Sequence, residues 1–472
     1  MTESSRARAS TTPAPAPREE KGLVRSLNAW DATLITMGAV IGGGIFLTPG
    51  DIAKSLPSPP WILFAWVVGG LLTLAGSLVY AELGAMFPET GGTYLYLREA
   101  YGALAGFLYA WMYFFVYNAG GIAALATGFA KYLAVFVPSL GMNRIVFDGL
   151  GLHVSAGQLT AVASVLVLTG THYVGIREGA RVQSFFTVLI VATMLGLVVF
   201  GAFASVPPAA AQAPVPHAPI TIPAFGLALV AVLWTYDGWV AVAAVAGEVK
   251  RPQRNLPLAL VLGMGLVTLL YVSVNAIYLK AIPVAELAGV DRAAEVASRR
   301  LFGAGAALVV AAAVLASGFG CTSANIAPGP RVVWALAKDR LFPHAFARVH
   351  PRFGTPAFAL VAQALWCALL CLSGRYEQLY TYSVFLGVLG TMAAALSLFL
   401  FRRKRPDAPR PYRCWGYPLV PMLYVLASLL FVANTLWTQP KESVAGLLIL
   451  ALGVPVYFTM LRRRNRSATP GG

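Results

Sequence analysis

The sequence predicts an all-α polytopic membrane protein with about twelve transmembrane helices. Its 472 residues are 58% hydrophobic and only 11% charged, whereas soluble domains are about one quarter charged. Two of the apolar stretches are also interrupted in the middle. Stretches long enough to cross a bilayer, which takes roughly 17–25 residues, lie near 30–54, 61–87, 102–137, 156–174, 182–204, 223–247, 256–281, 302–327, 357–373, 377–401, 417–437 and 444–461.

The order of these stretches divides the chain into two groups of five helices and a C-terminal pair. We expect a disordered cytoplasmic tail over residues 1–26, because this Pro/Ala-rich segment has too little apolar surface to fold. The first unit covers 27–204 and the second covers 220–402. An odd number of spans per unit means that the second unit is inverted in the membrane. The last two helices cover 415–462, followed by a cytoplasmic tail at 463–472.

The net charge of +16 reflects membrane topology rather than nucleic-acid binding. Most of the 35 Lys and Arg residues fall in segments on the same side as the N-terminus, including the runs at 402–405 and 462–466. The positive-inside rule therefore places both termini in the cytoplasm, with the protein in the plasma or inner membrane. Basic runs next to a membrane are also expected to contact anionic lipid.

The first interruption is the run Gly42, Gly43 and Gly44 in the first span. Gly38 precedes the run by one helical turn and could belong to a helix-packing face, but consecutive glycines place small residues all round the helix. They favour an unwound segment, which survives at that depth only where it is buried in protein or lines a cavity. Unwinding exposes backbone N–H groups at the start of the next half-helix, and these donors suit a carboxylate.

The second interruption is in the sixth span, at Trp234, Thr235, Tyr236, Asp237 and Gly238. Aromatic residues alone would indicate ordinary packing, but an aspartate at this depth is costly and glycine weakens a helix. Carbonyls at the end of a half-helix carry partial negative charge, which suits an ammonium group. Donors at one interruption and acceptors at the other fit a zwitterion, so the residues predict an α-amino acid as substrate class.

Several other polar residues have two interpretations. Glu82, near the end of the second span, either pairs with a loop arginine or acts in gating. Asn118 either faces the pocket or hydrogen-bonds between helices. Four residues of the eighth span either line a cavity or ion site or serve helix packing: Ser317, Thr322, Ser323 and Asn325. The sequence has no HExxH, Walker A or GxSxG motif, and its five histidines have no metal-ligand spacing. We therefore expect no enzyme activity, cofactor or metal.

These residues resemble the amino acid–polyamine–organocation superfamily, and within it the L-type amino acid transporter group. The resemblance implies a LeuT-type fold, in which the first five and the next five spans are inverted repeats. It implies that the substrate carboxylate binds at Gly42 to Gly44, and that the amino group binds the carbonyls of Trp234 to Tyr236, with Trp234 as an aromatic gate. The matching motifs are Gly42-Gly-Gly-Ile-Phe-Leu-Thr-Pro49, Tyr80-Ala-Glu-Leu-Gly84, Gly91-Gly-Thr-Tyr-Leu-Tyr96, Tyr236-Asp-Gly-Trp239 and Glu248-Val-Lys-Arg-Pro-Gln-Arg-Asn-Leu-Pro257.

Three features depart from the family pattern. Gly43 stands where the family often has serine, which removes a hydroxyl but keeps the backbone donors. Ile190 stands where many relatives have a lysine that is linked to gating and occupies the position of a sodium site in sodium-coupled members. The coupling mode therefore stays open. The loop at 138–157 lacks the cysteine by which animal relatives bond a glycoprotein, so we expect no disulfide-linked heavy subunit.

Together these features predict a secondary active transporter of neutral L-amino acids that works by alternating access, through exchange or proton coupling. The apolar rim at Val40, Ile45 and Trp234 and the lack of a second acidic group argue against a strongly cationic substrate. Asp237 and Glu82 are the candidate proton-binding groups. One alternative is a polyamine or organic-amine carrier, which needs a further acidic residue at the pocket. Another is a non-transporting amino acid sensor, which would be expected to carry a long cytoplasmic extension.

Overall fold

The computed structural model of the chain describes residues 27–149, 152–174, 176–205, 220–373 and 376–468. The tail predicted at 1–26 and the end of the C-terminal tail lie outside the described residues. The helices and strands are, in chain order, α1 (Ala29–Val40), α2 (Gly44–Leu47), α3 (Pro49–Ser55), α4 (Pro59–Met86), α5 (Thr93–Tyr101), α6 (Ala103–Met112), α7 (Asn118–Phe136), β1 (Ile145–Gly149), β2 (Leu152–Ser155), α8 (Ala156–Val174), α9 (Ile176–Phe203), α10 (Ile222–Thr235), α11 (Ala241–Ala244), α12 (Pro252–Ala281), α13 (Val284–Leu287), α14 (Ala293–Phe302), α15 (Ala304–Ile326), α16 (Pro328–Lys338), α17 (Ala357–Ser373), α18 (Tyr376–Lys404), α19 (Leu419–Thr438) and α20 (Pro440–Ala468).

The lengths and composition of these helices confirm a polytopic membrane protein. Within the described residues, nine helical stretches are long and apolar enough to cross a membrane. Two shorter apolar helices, α10 and α17, occupy the predicted sixth and ninth spans, and α8 occupies the predicted fourth. The helical, multi-pass fold class is therefore confirmed, while the count of twelve spans stays a prediction.

Both interrupted helices pack against α4 and α12 through aromatic side chains. The rings of Trp66 in α4, Tyr271 in α12 and Tyr236 at the second interruption lie 5.1–5.8 Å apart between centroids. The Tyr271 hydroxyl donates a hydrogen bond to the Val40 carbonyl at 3.0 Å, and the Tyr236 hydroxyl donates to the Trp66 carbonyl at 3.1 Å. This cluster joins the end of α1 to the end of α10.

The loop between α7 and α8 forms an antiparallel hairpin of β1 and β2, which the sequence pattern does not predict. Phe147 pairs with Val154 and Asp148 pairs with His153. The side chains of Asp148 and His153 lie 2.9 Å apart at the surface. Strands of only four or five residues are too short to give a clear periodic signal.

One end of the bundle, where α4 and α18 terminate and which we call the base, is held by a buried carboxylate. Glu82 in α4 is fully buried and accepts two hydrogen bonds from the Arg402 guanidinium, at 3.0 and 2.6 Å. The Cys414 N–H donates to the same carboxylate at 2.7 Å, and Arg410 Nε lies 3.4 Å from it. Glu82 thus pairs with arginines of α18 and of the loop that follows it.

Replacing Glu82 with alanine should destabilise the bundle, because the Arg402 guanidinium and the Cys414 N–H lose their acceptor and Arg410 loses its ion pair. Breaking a buried ion pair costs about 3–5 kcal/mol, and partial exposure of Arg402 places the expected loss at the lower end. The measurement is the apparent melting temperature in detergent, followed by tryptophan fluorescence. Glu99→Ala is the control, because its ion pair with Arg405 is exposed and worth about 0–1 kcal/mol. Equal melting temperatures for the two variants would contradict this role of Glu82.

Candidate functional site

The first interruption places unpaired backbone donors in the middle of the bundle. α1 ends at Val40, and the Gly42 N–H turns back to the Val40 carbonyl at 2.8 Å. In the following segment, the Phe46 N–H donates to the Gly43 carbonyl at 3.1 Å. The N–H groups of residues 43–45 precede this bond, and such N-terminal groups have no intrahelical acceptor. The positive end of the helix dipole lies at the same place.

The second interruption turns the chain through a left-handed glycine. α10 ends at Thr235, and the Asp237 N–H donates to the Trp234 carbonyl at 3.1 Å. Gly238 has a φ of +101°, which residues with a Cβ rarely adopt. The Trp234 carbonyl, which the resemblance assigns to the substrate amino group, thus has a donor within the chain. The carbonyls of Thr235 and Tyr236 follow it, at a helix end where the last acceptors lack intrahelical donors.

The two interruptions touch each other. A Cβ on Gly44 would lie 3.1 Å from the Thr235 Cα, so only a residue without a side chain fits there. The hydroxyls of Thr48 and Thr235 form a hydrogen bond of 2.9 Å between the same two segments. A Cβ on Gly238 would collide with the Ala39 carbonyl oxygen. Residues of both interruptions, among them Gly44 and Thr235, therefore lie beside one small space.

A cavity of about 40 Å³ lies where the interruptions meet. The residues predicted from the sequence that line it are Val40, Gly42, Gly44, Asn118, Trp234, Thr235, Asp237 and Gly238. Asn325, one of the residues with two interpretations, lines it as well. Lining residues that sequence reasoning missed include Tyr113, Tyr117, Gly121, Leu125 and Cys321.

Six predicted residues do not belong to this lining: Gly43, Ile45, Ile190, Tyr236, Ser317 and Glu82. The Ile45 and Tyr236 side chains are fully buried in the packing around the interruptions, and Ile190 is buried in α9. The directions of the Ile45 and Tyr236 side chains could not be predicted from the sequence, because helical periodicity ends where a helix unwinds.

Asp237 is held by an irregular turn in the third span. Residues Tyr113–Tyr117 form a π-helical segment between α6 and α7, an irregularity that is frequent at functional sites. The Tyr117 hydroxyl donates to Asp237 Oδ1 at 2.6 Å. Within the described part of the chain, no lysine, arginine or histidine forms an ion pair with Asp237. Tyr117 directly precedes Asn118, and that neighbourhood is the signal that could have identified it.

Asn118 combines the two roles that its sequence position left open. It lines the cavity, and its Nδ2 also donates to Gln363 Oε1 at 3.2 Å. Gln363 in turn donates to the Ile326 carbonyl at 3.0 Å. The third, eighth and ninth spans are thereby joined behind the cavity wall.

Trp234 covers the cavity on the side away from the base. Its ring stacks on Tyr380 of α18, with 5.8 Å between centroids, and the Tyr380 hydroxyl donates to Asp51 of α3 at 3.3 Å. The other side of the ring lies over Gly121, where a Cβ would be 3.8 Å from it. An aromatic layer thus separates the cavity from the end of the bundle opposite the base.

Side chains of α15 satisfy carbonyls that the first interruption leaves without helical donors. Ser317 donates to the Ile41 carbonyl at 3.3 Å, and Asn325 donates to the Ala39 carbonyl at 3.4 Å. The Cys321 Sγ lies 3.5 Å from the same Ala39 oxygen. The three side chains are spaced four residues apart and so share one face of α15.

A polytopic bundle with a buried polar cavity between two interrupted helices has the architecture of a membrane protein that binds a small solute near its midplane. The chain belongs to the amino acid permease family, whose sequence profile matches residues 27–461. The resemblance to the amino acid–polyamine–organocation superfamily is thereby confirmed.

Curated relatives align along nearly the whole chain. The serine/threonine exchanger SteT of Bacillus subtilis (strain 168) is 30% identical over 457 residues, which cover 94% of this chain and 99% of the relative. The large neutral amino acids transporter small subunit 2 of Mus musculus is 30% identical over 457 residues, covering 93% and 81%. The branched-chain amino acid permease BcaP of Bacillus subtilis (strain 168) is 29% identical over 464 residues, covering 95% of each chain.

Gly238→Ala should disrupt the site, because a Cβ at a positive φ is strained and collides with the Ala39 carbonyl. Strain of this kind costs of order 1–3 kcal/mol, so we expect amino acid binding to weaken by at least about fivefold. The measurement is isothermal titration of the purified protein with L-alanine. Gly265→Ala in α12 is the matched control, since no other group lies near its Cβ position. Unchanged binding by Gly238→Ala would contradict the geometry described for the second interruption.

Proposed function

We propose that this protein is a secondary active transporter of small neutral L-amino acids that works by alternating access. It has twelve spans in a LeuT-type arrangement, with inverted repeats at 27–204 and 220–402 and two further helices within 415–462. Both termini lie in the cytoplasm, in agreement with the distribution of Lys and Arg. Membership of the amino acid permease family and the names of the aligned relatives support this function.

The contact between the two interruptions is the observation that carries the proposal. The Gly44–Thr235 contact brings the helix start with free donors at residues 43–45 next to the helix end with the carbonyls of Thr235 and Tyr236. A carboxylate is stabilised at the first position and an ammonium group at the second. Because both belong to the backbone of an α-amino acid, the site recognises the part that all amino acids share. Trp234, stacked on Tyr380, acts as the gate.

The size of the cavity favours a small side chain. Its volume of about 40 Å³ is small, and the Trp234 ring and Leu125 belong to its lining, so a small side chain requires the least rearrangement of the site. The relative SteT is named for serine and threonine exchange, whereas the other relatives are named for large neutral and branched-chain amino acids. The cavity supports L-alanine and L-serine as the first substrates to test.

A polyamine carrier is the second candidate, because Asp237 is an acid at the cavity. A diamine or longer amine needs a second anionic partner. Among the described residues that line the cavity, Asp237 is the one carboxylate. The backbone donors of the first interruption also have no role with a substrate that lacks a carboxylate. The geometry therefore supports the amino acid over the amine.

Exchange of one amino acid for another is tested in proteoliposomes of the purified protein. Preloading with unlabelled L-serine should increase the initial uptake of labelled L-alanine several-fold over unloaded vesicles. Protein-free vesicles and Gly238→Ala are the controls. Uptake of labelled putrescine in place of L-alanine would support the amine carrier, and binding of L-alanine without uptake would support a sensor. Failure to bind or carry either amino acid would contradict the proposal.

Sodium coupling is disfavoured by the carbonyls of the first interruption. Oxygens of Ala39, Val40 and Ile41 would be available to ligate a cation, but each accepts a side-chain hydrogen bond from α12 or α15. Replacing sodium with choline on both sides of the vesicle should therefore leave L-alanine uptake unchanged. A several-fold loss of uptake in choline, restored by adding sodium, would show that a sodium ion binds.

We also propose that the carrier works without a disulfide-linked subunit. The four cysteines, Cys321, Cys367, Cys371 and Cys414, are buried free thiols. The loop with the β1–β2 hairpin contains no cysteine. Uptake by the protein purified alone, as in the vesicle experiment, is the corresponding expectation.

A further inference from the structure

A second cavity lies behind Asp237, on the side away from the substrate cavity. It has a volume of about 40 Å³ and is enclosed by α4, α18, α19 and the second interruption. Its polar lining consists of Asp237 and the hydroxyls of Thr73, Thr391, Tyr424 and Ser428. The Tyr424 hydroxyl donates to Thr391 at 2.7 Å. The function proposed above makes no use of this cavity.

Asp237 and Tyr117 form the partition between the two cavities. Asp237 contributes to the lining of both. Tyr117, which donates to Asp237 at 2.6 Å, lines the substrate cavity, and its ring packs on Gly387 of α18, which lines the second. A Cβ on Gly387 would lie 2.8 Å from the Tyr117 ring, so the ring packs directly against the Gly387 backbone.

Among the described residues, no positively charged side chain lies close enough to Asp237 to balance a carboxylate. The titratable groups that face it are Tyr109, Tyr113 and Tyr117 in the third span, Cys321 in α15 and Tyr424 in α19. α1, α4 and α18 contribute no titratable side chain to either cavity lining. An isolated carboxylate in such surroundings is costly. The ammonium group of a bound amino acid supplies the missing positive charge.

The second cavity has the size and polarity to hold water. A cavity needs about 10–15 Å³ and two to four polar partners to hold one water molecule, and this one exceeds that volume and presents four hydroxyls beside Asp237. Water next to a carboxylic acid is a direct proton acceptor. The partition therefore has the amino acid on one face and a proton acceptor on the other.

We propose that the second cavity is a water chamber through which Asp237 loses a proton when an amino acid binds and regains it when the amino acid leaves. The O–H bond of the Asp237 carboxylic acid breaks, and the proton passes to water in the chamber. The carboxylate that remains pairs with the substrate ammonium group. This proposal rests on the proposed function, since it requires an amino acid in the first cavity. Each binding event is then linked to the release of one proton.

The equilibrium test is L-alanine binding to the purified full-length protein as a function of pH. Because binding releases a proton, rising pH favours binding, and the dissociation constant should fall by up to about tenfold per pH unit while the empty site is protonated. A pH indicator in weak buffer should report close to one proton released per L-alanine bound. Asp237→Asn should bind L-alanine with a flat pH profile and release no proton. Proton release that persists in this variant would overturn the assignment to Asp237.

The chamber itself is tested by the rate of proton release, because an equilibrium does not depend on the path. Ser428→Leu fills the second cavity and should slow proton release by about tenfold or more relative to binding. Both rates are measured in a stopped-flow instrument, binding by tryptophan fluorescence and proton release by the pH indicator. The pH dependence of binding should stay as in the parent protein. Thr435→Val in the same helix is the matched control. Thr435 is buried, its hydroxyl donates to the Phe431 carbonyl one turn earlier, and it does not line the cavity.

The outcomes separate this inference from the proposed function. If L-alanine is bound and carried with no proton released at any pH, the proton exchange at Asp237 is overturned and the transporter stands. If proton release in Ser428→Leu keeps pace with binding, the chamber is overturned while Asp237 stays the proton-binding group. If neither L-alanine nor L-serine binds at any pH, the proposed function is overturned and the inference with it.

Discussion

The structure depends on the need of buried backbone groups for hydrogen-bond partners. Interrupting a helix inside a membrane frees carbonyls that cost several kcal/mol each if they stay unpaired. At the end of α1 the freed carbonyls of residues 39–41 accept hydrogen bonds from Asn325, Tyr271 and Ser317. These side chains come from α12 and α15, far along the chain. The interruption is therefore stable only in the assembled bundle, where those two helices lie beside it.

The same requirement explains the position of the binding cavity. The carbonyls of the first interruption are paired with side chains of the protein, whereas its donors at residues 43–45 lie at a helix start that contacts Thr235 through Gly44. A substrate carboxylate can therefore complete the hydrogen bonding that the fold leaves incomplete. Gly238 and Gly44 bring the two interruptions into contact because neither has a side chain. Larger residues at these positions would separate the donors from the acceptors.

Sequence reasoning predicted what depends on local composition. The apolar stretches, the two interruptions and their opposite polarity follow from the glycine run and from Asp237 in a hydrophobic segment. The sequence did not predict that Tyr117 lines the cavity or that the side chains of Ile45 and Tyr236 pack away from it. A π-helical turn and an unwound segment break the helical periodicity on which such predictions rest. The partner of Glu82 lies 320 residues away in the chain. The sequence predicted a loop arginine as one possible partner, whereas the folded bundle gives Arg402 at the end of α18, with the loop residue Arg410 beside it.

Asp237, at the second interruption, gives this site an acidic group that a site made of backbone groups alone would lack. Carbonyls of a half-helix end suffice to bind an ammonium group, so Asp237 adds a charge that recognition of the amino acid backbone does not require. A fixed cation nearby would keep that charge constant, but the neighbours Cys321 and Tyr117 are neutral. The net charge of the site then depends on whether the ammonium group is present. In the mechanism that we propose, Asp237 thus links the occupancy of the cavity to the protonation of the bundle centre.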